Sequence, residues 1–107
     1  MRHGGLLEKN GFSNISGTEK TGDHGIDILA RLNGVTYAIQ CKRYSGNIGN
    51  RAVQEAFSGK AYYNADVAVV MTNSYFTQQA QDDAARIGVK LWNRDYIFQV
   101  FNLGQFF

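Results

Sequence analysis

At 107 residues, with 44% apolar and only 19% charged side chains, the chain can build one ordinary hydrophobic core and is not a disordered tail. A formal charge of +2 is compatible with a polyanionic partner without demanding one. No run of about 18 apolar residues and no basic-plus-apolar leader occurs, so neither a membrane span nor a secretory signal is expected; the single cysteine, set inside an apolar stretch, points to a buried thiol in a reducing, cytoplasmic compartment.

In chain order, Met1-Arg-His-Gly-Gly is a poor helix beginning, because each glycine costs roughly 1 kcal/mol relative to alanine. Leu6 to Asn10 reads as the last turn of an amphipathic helix, with Gly11 as its C′ residue. A helix that shows only its end suggests a chain that starts late, a single domain over 1–107 with a truncated first helix. Phe12 to Ser16 is a short strand, and 17–25 a polar, turn-rich loop. Ile26 to Leu32 and Val35 to Cys41 are two branched apolar runs joined by Asn33-Gly34, the strongest short hairpin signal, since both central positions of a type I′ turn need positive φ. After a loop over 43–49, a helix is expected from Asn50, its N-cap, to Tyr63, with Val53, Ala56, Phe57 and Ala61 on one face. Asp66 to Met71 has the continuous apolar pattern of a strand covered on both sides. Thr72, Asn73 and Ser74 form the turn into the next helix. That helix is capped by Thr77, aligns Ala80, Ala84 and Ile87, turns Asp82 and Asp83 outward, and stops at Gly88. Val89 to Trp92 is a further strand, and Asp95 to about Leu103 a closing helix bearing Ile97, Phe98 and Phe101. The order implies an α/β fold: a mixed sheet with helices on both faces.

The two-residue turn fixes the hairpin register. Leu32 faces Val35, Ala30 faces Tyr37, Ile28 faces Ile39 and Asp27 faces Gln40. Asp27, Gln40 and Lys42 therefore share one side, while Ile26, Ile28, Tyr37, Ile39 and Cys41 share the other. Three polar groups on one side of an apolar hairpin fit a hard cation. Magnesium takes oxygen ligands, and here a carboxylate, an amide oxygen and the backbone carbonyl of Cys41 stand together. Lys42, cationic at neutral pH, would reach an attacking water or a phosphate oxygen. The alternative from geometry alone is a structural Asp–Lys pair satisfied by Gln40. A phosphate loop at Gly17-x-x-x-x-Gly22 is rejected, because Asp23-His24 stands where Lys-Ser/Thr is required. A structural zinc lacks clustered Cys and His. A Cys41 nucleophile points to the wrong, apolar side.

These residues also carry a family resemblance. Gly22-Asp-x-Gly-Ile-Asp-Ile-Leu-Ala, the Asn-Gly turn and Ile39-Gln-Cys-Lys-Arg-Tyr closely resemble the Mrr-type catalytic domain of the restriction-endonuclease-like, or PD-(D/E)XK, nucleases. In that branch a glutamine stands for the acid of the (D/E)XK element, as Gln40 does here. The likeness continues through Val53-Gln-Glu, Val69-Val-Met-Thr-Asn-Ser-Tyr-Phe-Thr and Gly88-Val-Lys-Leu-Trp. The resemblance implies a restriction-endonuclease-like fold and hydrolysis of DNA phosphodiesters with Mg2+ or Mn2+. It would make Asp27 the metal-binding aspartate, Gln40 and the Cys41 carbonyl its companions, and Lys42 the catalytic lysine. One departure stands: the acid such domains carry on the first helix has no counterpart here, and Glu8 sits near the wrong end. Asp27 would then be the only carboxylate at the metal, which keeps alive a second reading, a catalytically impaired nuclease fold that binds DNA or a protein. Arg43, Arg51 and Lys60 are candidates for tracking a DNA backbone, His24 for a phosphate contact from its loop, and Tyr44 for shaping the site mouth. The terminal Phe98, Phe101, Phe106 and Phe107 exceed what one short helix needs and suggest a homodimer contact, with target recognition left to another domain or subunit.

Overall fold

The computed structural model describes residues 2–18 and 25–102, and its architecture grows outward from the hairpin. β2 (Ile28–Leu32) and β3 (Val35–Lys42) pair antiparallel, Ile28 opposite Ile39, Ala30 opposite Tyr37 and Leu32 opposite Val35. Asn33 at φ 53° and Gly34 at φ 81° give the turn the two positive φ values of type I′, whose twist matches that of the strands. β1 (Ser13–Gly17) adds antiparallel to β2. On the other side of β3, β4 (Val67–Thr72) and β5 (Val89–Trp92) run parallel to it, so the five strands lie in the order β1-β2-β3-β4-β5. Parallel neighbours need crossovers, and helices α2 (Asn50–Tyr62) and α3 (Gln78–Ile87) supply them.

The strand period of two divides the apolar side chains between two cores. Ala38, Ala68 and Val70 pack under Val53 and Ala56 of α2 and Ala80 and Ala84 of α3. Ile28, Ala30, Ile39, Val69 and Met71 face the opposite way, toward Leu7 of α1 (Arg2–Lys9), Phe12, Trp92 and Phe101. Strands β3 and β4 are thus covered on both sides, which is why Val67–Thr72 reads as an unbroken apolar run. Each fully buried Ile or Val here contributes about 1.5–3 kcal/mol relative to exposure. The predicted stop signals act as expected. Gly11, at φ 92°, closes α1 in a Schellman arrangement in which Phe12 N–H donates to the Leu7 carbonyl at 3.1 Å. Thr77 Oγ1 accepts from Ala80 N–H at 3.1 Å, and Gly88 ends α3 in the left-handed region. Ser74 N–H donates to Thr72 Oγ1 in the predicted strand-to-helix turn.

Several expectations are corrected. α1 runs through the Gly4-Gly5 pair, because burial of Leu7 anchors the helix and outweighs the glycine cost. Asn50 does not cap α2: Gly49 holds that position, and Asn50 Nδ2 donates to Asp83 Oδ2 at 3.1 Å. Asp83, expected outward, is therefore only 7% exposed, and it also pairs with Arg86. The buried stripe of α2 is Ala52, Val53, Ala56 and Gly59, since the helix is turned to meet both β3 and α3; Phe57 and Ala61 are exposed. Ile26 packs on the α2 side and not with Ile28, because it precedes the ladder and follows Gly25, whose φ of +67° breaks the alternation. The closing helix starts at α4 (Arg94–Tyr96), capped by Asn93, and continues as a π-helical turn over Ile97–Asn102. Phe101 is buried there but Phe98 is 64% exposed; Phe106 and Phe107 lie outside the described residues. Among the described residues no helix is long and apolar enough to cross a membrane.

Candidate active site

The site begins where the hairpin ladder lets go. Regular register would pair Asp27 with Gln40, yet Asp27 N–H donates to the Ile39 carbonyl at 2.8 Å. The Asp27 carbonyl turns outward and accepts from Thr18 N–H at 3.0 Å. Its carboxylate fills the vacated rung, Oδ2 accepting from Cys41 N–H at 2.7 Å. A carboxylate accepts through two oxygens, so this bond fixes the group while leaving further lone pairs for a ligand. In a strand the N–H and C=O of one residue point the same way, so the Cys41 carbonyl lies along the same edge as the N–H that Asp27 takes.

Gln40 lies on the α2 side of the sheet and is 3% exposed. Its Nε2 donates to Glu55 Oε1 at 3.0 Å. A carboxylate can only accept, so this bond settles which end of the amide is which. The other end, Oε1, is buried with no hydrogen-bond partner among the described residues. Buried carbonyl oxygens are almost always paired, so this one has an acceptor site to spare for a water or an ion. Gly25 backs the pair: a Cβ there would come within 3.0 Å of both Gln40 Nε2 and Glu55 Cβ, at a φ that already favours glycine.

Lys42, two residues further along β3, places Nζ 3.7 Å from Glu55 Oε1, and Arg51 Nε stands 3.4 Å from Glu55 Oε2. These pairs are solvent-facing, Arg51 being 92% exposed, so they shape the charge of the site and add little to stability. Glu55 is the residue that reading the sequence missed as a site candidate. It had two signals: it closes the Val53-Gln-Glu stretch of the family likeness, and it flanks the buried stripe, three residues after Ala52 and four before Gly59, beside the face that meets β3.

The structure brings Asp27, Gln40, Cys41 and Lys42 to one end of the β2–β3 pair, with Arg51 of α2 on its rim. Arg43 and Tyr44 follow on the exposed loop, where Tyr44 N–H donates to Asn73 Oδ1 at 3.0 Å. A groove of about 560 Å³ runs between this loop and α2, lined by Lys42, Arg43, Tyr44, Arg51 and Glu55. Lys60 does not join it: nine residues after Arg51 on one helix, it stands about 13 Å further along the axis. His24 lies outside the described residues. The Cys41 thiol packs toward the α1 side, and burial, followed by the Asp27 charge, pushes its pKa up to about 12. Such a thiol stays protonated and is no nucleophile at neutral pH.

Among the described residues no three His, Cys, Asp or Glu side chains stand close enough to hold a metal. The donors available at this end of the hairpin are instead an Asp27 oxygen, the orphaned Gln40 Oε1 and the Cys41 carbonyl. All are oxygens, a set suited to a hard cation and not to zinc.

A five-stranded mixed sheet with helices on both faces, built around such a hairpin, is the restriction-endonuclease-like fold. The chain belongs to the Mrr-type family: a family model described as a restriction endonuclease, Mrr_cat, matches residues 3–101. Two solved structures share the fold. A protein of unknown function, AF1548, superposes with a TM-score of 0.76 at 23% identity over 89% of this chain and 56% of that one. The DNA modification-dependent restriction endonuclease AspBHI superposes with a TM-score of 0.66 at 19% identity over 90% of this chain. This chain spans only 28% of AspBHI's length. No curated protein gives a significant match.

Proposed function

We propose that this is a DNA endonuclease domain, using Mg2+ or Mn2+ to hydrolyse phosphodiesters in restriction or repair. The observation that carries it is the buried Gln40 Oε1, unpartnered among the described residues, one residue before the Cys41 N–H to which the Asp27 carboxylate is pinned. Asp27, Gln40 and the Cys41 carbonyl would hold the ion. A bound divalent ion supplies Lewis-acid polarisation of a phosphoryl oxygen and a more acidic water. Lys42 contributes a positive charge that orients the attacking water or steadies the charge on the phosphate. Arg51 and Arg43 give the groove wall a cationic rim suited to a phosphodiester backbone, a sequence-independent contact. AspBHI's description as a DNA-cutting enzyme supports DNA as the substrate class. Because this chain corresponds to only part of AspBHI, we assign target recognition to another domain or subunit; the exposed Phe98 supports a homodimer contact with a second copy, whose site would cut the other strand.

Incubation with supercoiled plasmid, with Mg2+ or Mn2+ and with chelator, tests the reading beside Lys42→Ala and Asp27→Asn. Metal-dependent nicking lost in both variants is expected. Equal plasmid retention by all three proteins, with no nicking at any metal concentration, would replace the enzyme by a DNA-binding module. That Asp27 is the one carboxylate among the proposed ligands, with Glu55 turned to Gln40 and Lys42, favours that second reading.

A further inference from the structure

Gln40 presents two ends of opposite polarity and nearly equal size, and only its oxygen is useful to a cation. An amide with no fixed partner samples both orientations, and half of the time it would turn an NH2 group into the site. Here the orientation is set from outside the hairpin. Glu55, on α2, takes the NH2 at 3.0 Å, and the same Oε1 lies 3.7 Å from the Lys42 ammonium. Its second oxygen is braced by Arg51 at 3.4 Å. Gly25 lies close behind the pair, leaving no room for a side chain between it and Gln40 Nε2 or Glu55. One carboxylate thus couples the two β3 side chains that the proposed chemistry needs, one as acceptor and one as cation.

We propose that Glu55 is a positioning residue: it holds the Gln40 amide with its carbonyl oxygen facing the metal site and keeps Lys42 on the same side. This rests on the reading of the site as a divalent-metal centre. Glu55 acts through its hydrogen bond and not through its charge alone. That separates it from a general acidic neighbour, which would draw in cations whatever its contact with Gln40.

The side-chain amide resonances of Gln40, followed by NMR with and without Mn2+, test the assignment in the wild type, Glu55→Leu and Glu55→Gln. Glu55 is 37% exposed, so the variants should fold, and their backbone spectra and melting temperatures verify that. In metal-free protein Glu55→Leu should move the Gln40 NH2 resonances toward those of a free amide, whereas Glu55→Gln, whose amide oxygen accepts the same bond, should largely keep them. Mn2+ affinity, read from the broadening of Gln40, should fall about 10–100-fold in Glu55→Leu, as for other residues that orient metal ligands, and recover most of that in Glu55→Gln. Equal loss of affinity in the two variants would show that charge alone matters and overturn the proposal, as would metal-free Gln40 resonances unmoved by Glu55→Leu. If Mn2+ leaves wild-type Gln40 untouched, the metal reading of the site fails instead, while the metal-free spectra still decide the orienting role.

Discussion

Consider Gln40→Leu in metal-free protein. Leaving a carbonyl oxygen buried without a bond costs about 1–3 kcal/mol, and Gln40 Oε1 is in that state among the described residues. Leucine removes this cost and gains about 1.5–3 kcal/mol by burying an apolar side chain of similar size. Against this stands the lost bond to Glu55, worth about 1.5–3 kcal/mol because the acceptor is charged. Glu55 is 37% exposed, so water and its neighbours Lys42 and Arg51 return much of that. At mid-range the balance is a gain of about 2 kcal/mol or slightly more, a rise in Tm of roughly 4–8 °C per kcal/mol for a domain near 100 residues. Urea unfolding should show a raised midpoint at an unchanged slope, which attributes the change to stability and not to an altered unfolded state. Excess Mg2+ should stabilise the wild type by mass action and leave the variant unmoved. A variant less stable than wild type by about 1 kcal/mol or more would refute the reasoning, because it would mean that the Gln40 oxygen is already satisfied by the protein.

Other outcomes follow from the same geometry. Gly34→Val should destabilise by about 1–2 kcal/mol through backbone strain alone, since the position has φ +81° and nothing within 4 Å of an added Cβ; chemical denaturation measures it, and Gly34→Asn, better tolerated in the left-handed region, should recover part of the loss. The half-buried Cys41 thiol, its pKa pushed up, should react with iodoacetamide at pH 8 far more slowly in the native protein than in the unfolded chain, and equal rates would contradict the raised pKa. Its pKa is raised on folding, so between the ordinary 9.0 and about 12 the unfolded chain binds fewer protons than the native one. Stability should therefore fall as pH rises through that window, and Cys41→Ala should flatten the decline. Thr77→Ala should cost about 1 kcal/mol by freeing the Ala80 N–H, measurable as a lowered urea midpoint.

Much of this was legible because the deciding signals are local. Asn33-Gly34 sets a turn that only positive φ allows, and the turn sets the register that brings residues 27, 40 and 42 to one end of the hairpin. Gly11, Thr77 and Gly88 mark helix ends through backbone chemistry confined to one turn. What escaped depends on which surfaces meet. Asp83 has the composition of a solvent-facing residue and is buried only because Asn50 arrives from another helix. The rotation of α2 that exposes Phe57 follows from contact with α3, and Ile26 changes sides where the chain leaves the ladder. Glu55 escaped for the same reason. Its neighbours in sequence put it on a helix, in the Val53-Gln-Glu stretch of the family likeness, but name no partner for it; its place opposite Gln40 exists once β3, α2 and β4 have been wound together.

The most direct test of the metal centre is anomalous diffraction from crystals equilibrated with Mn2+. One manganese peak is expected, bonded to an Asp27 carboxylate oxygen, Gln40 Oε1 and the Cys41 carbonyl, on the side of the sheet where Lys42 meets Glu55. A manganese ion bound elsewhere with these three oxygens untouched, or a Gln40 amide presenting its nitrogen to the ion's place, would contradict it.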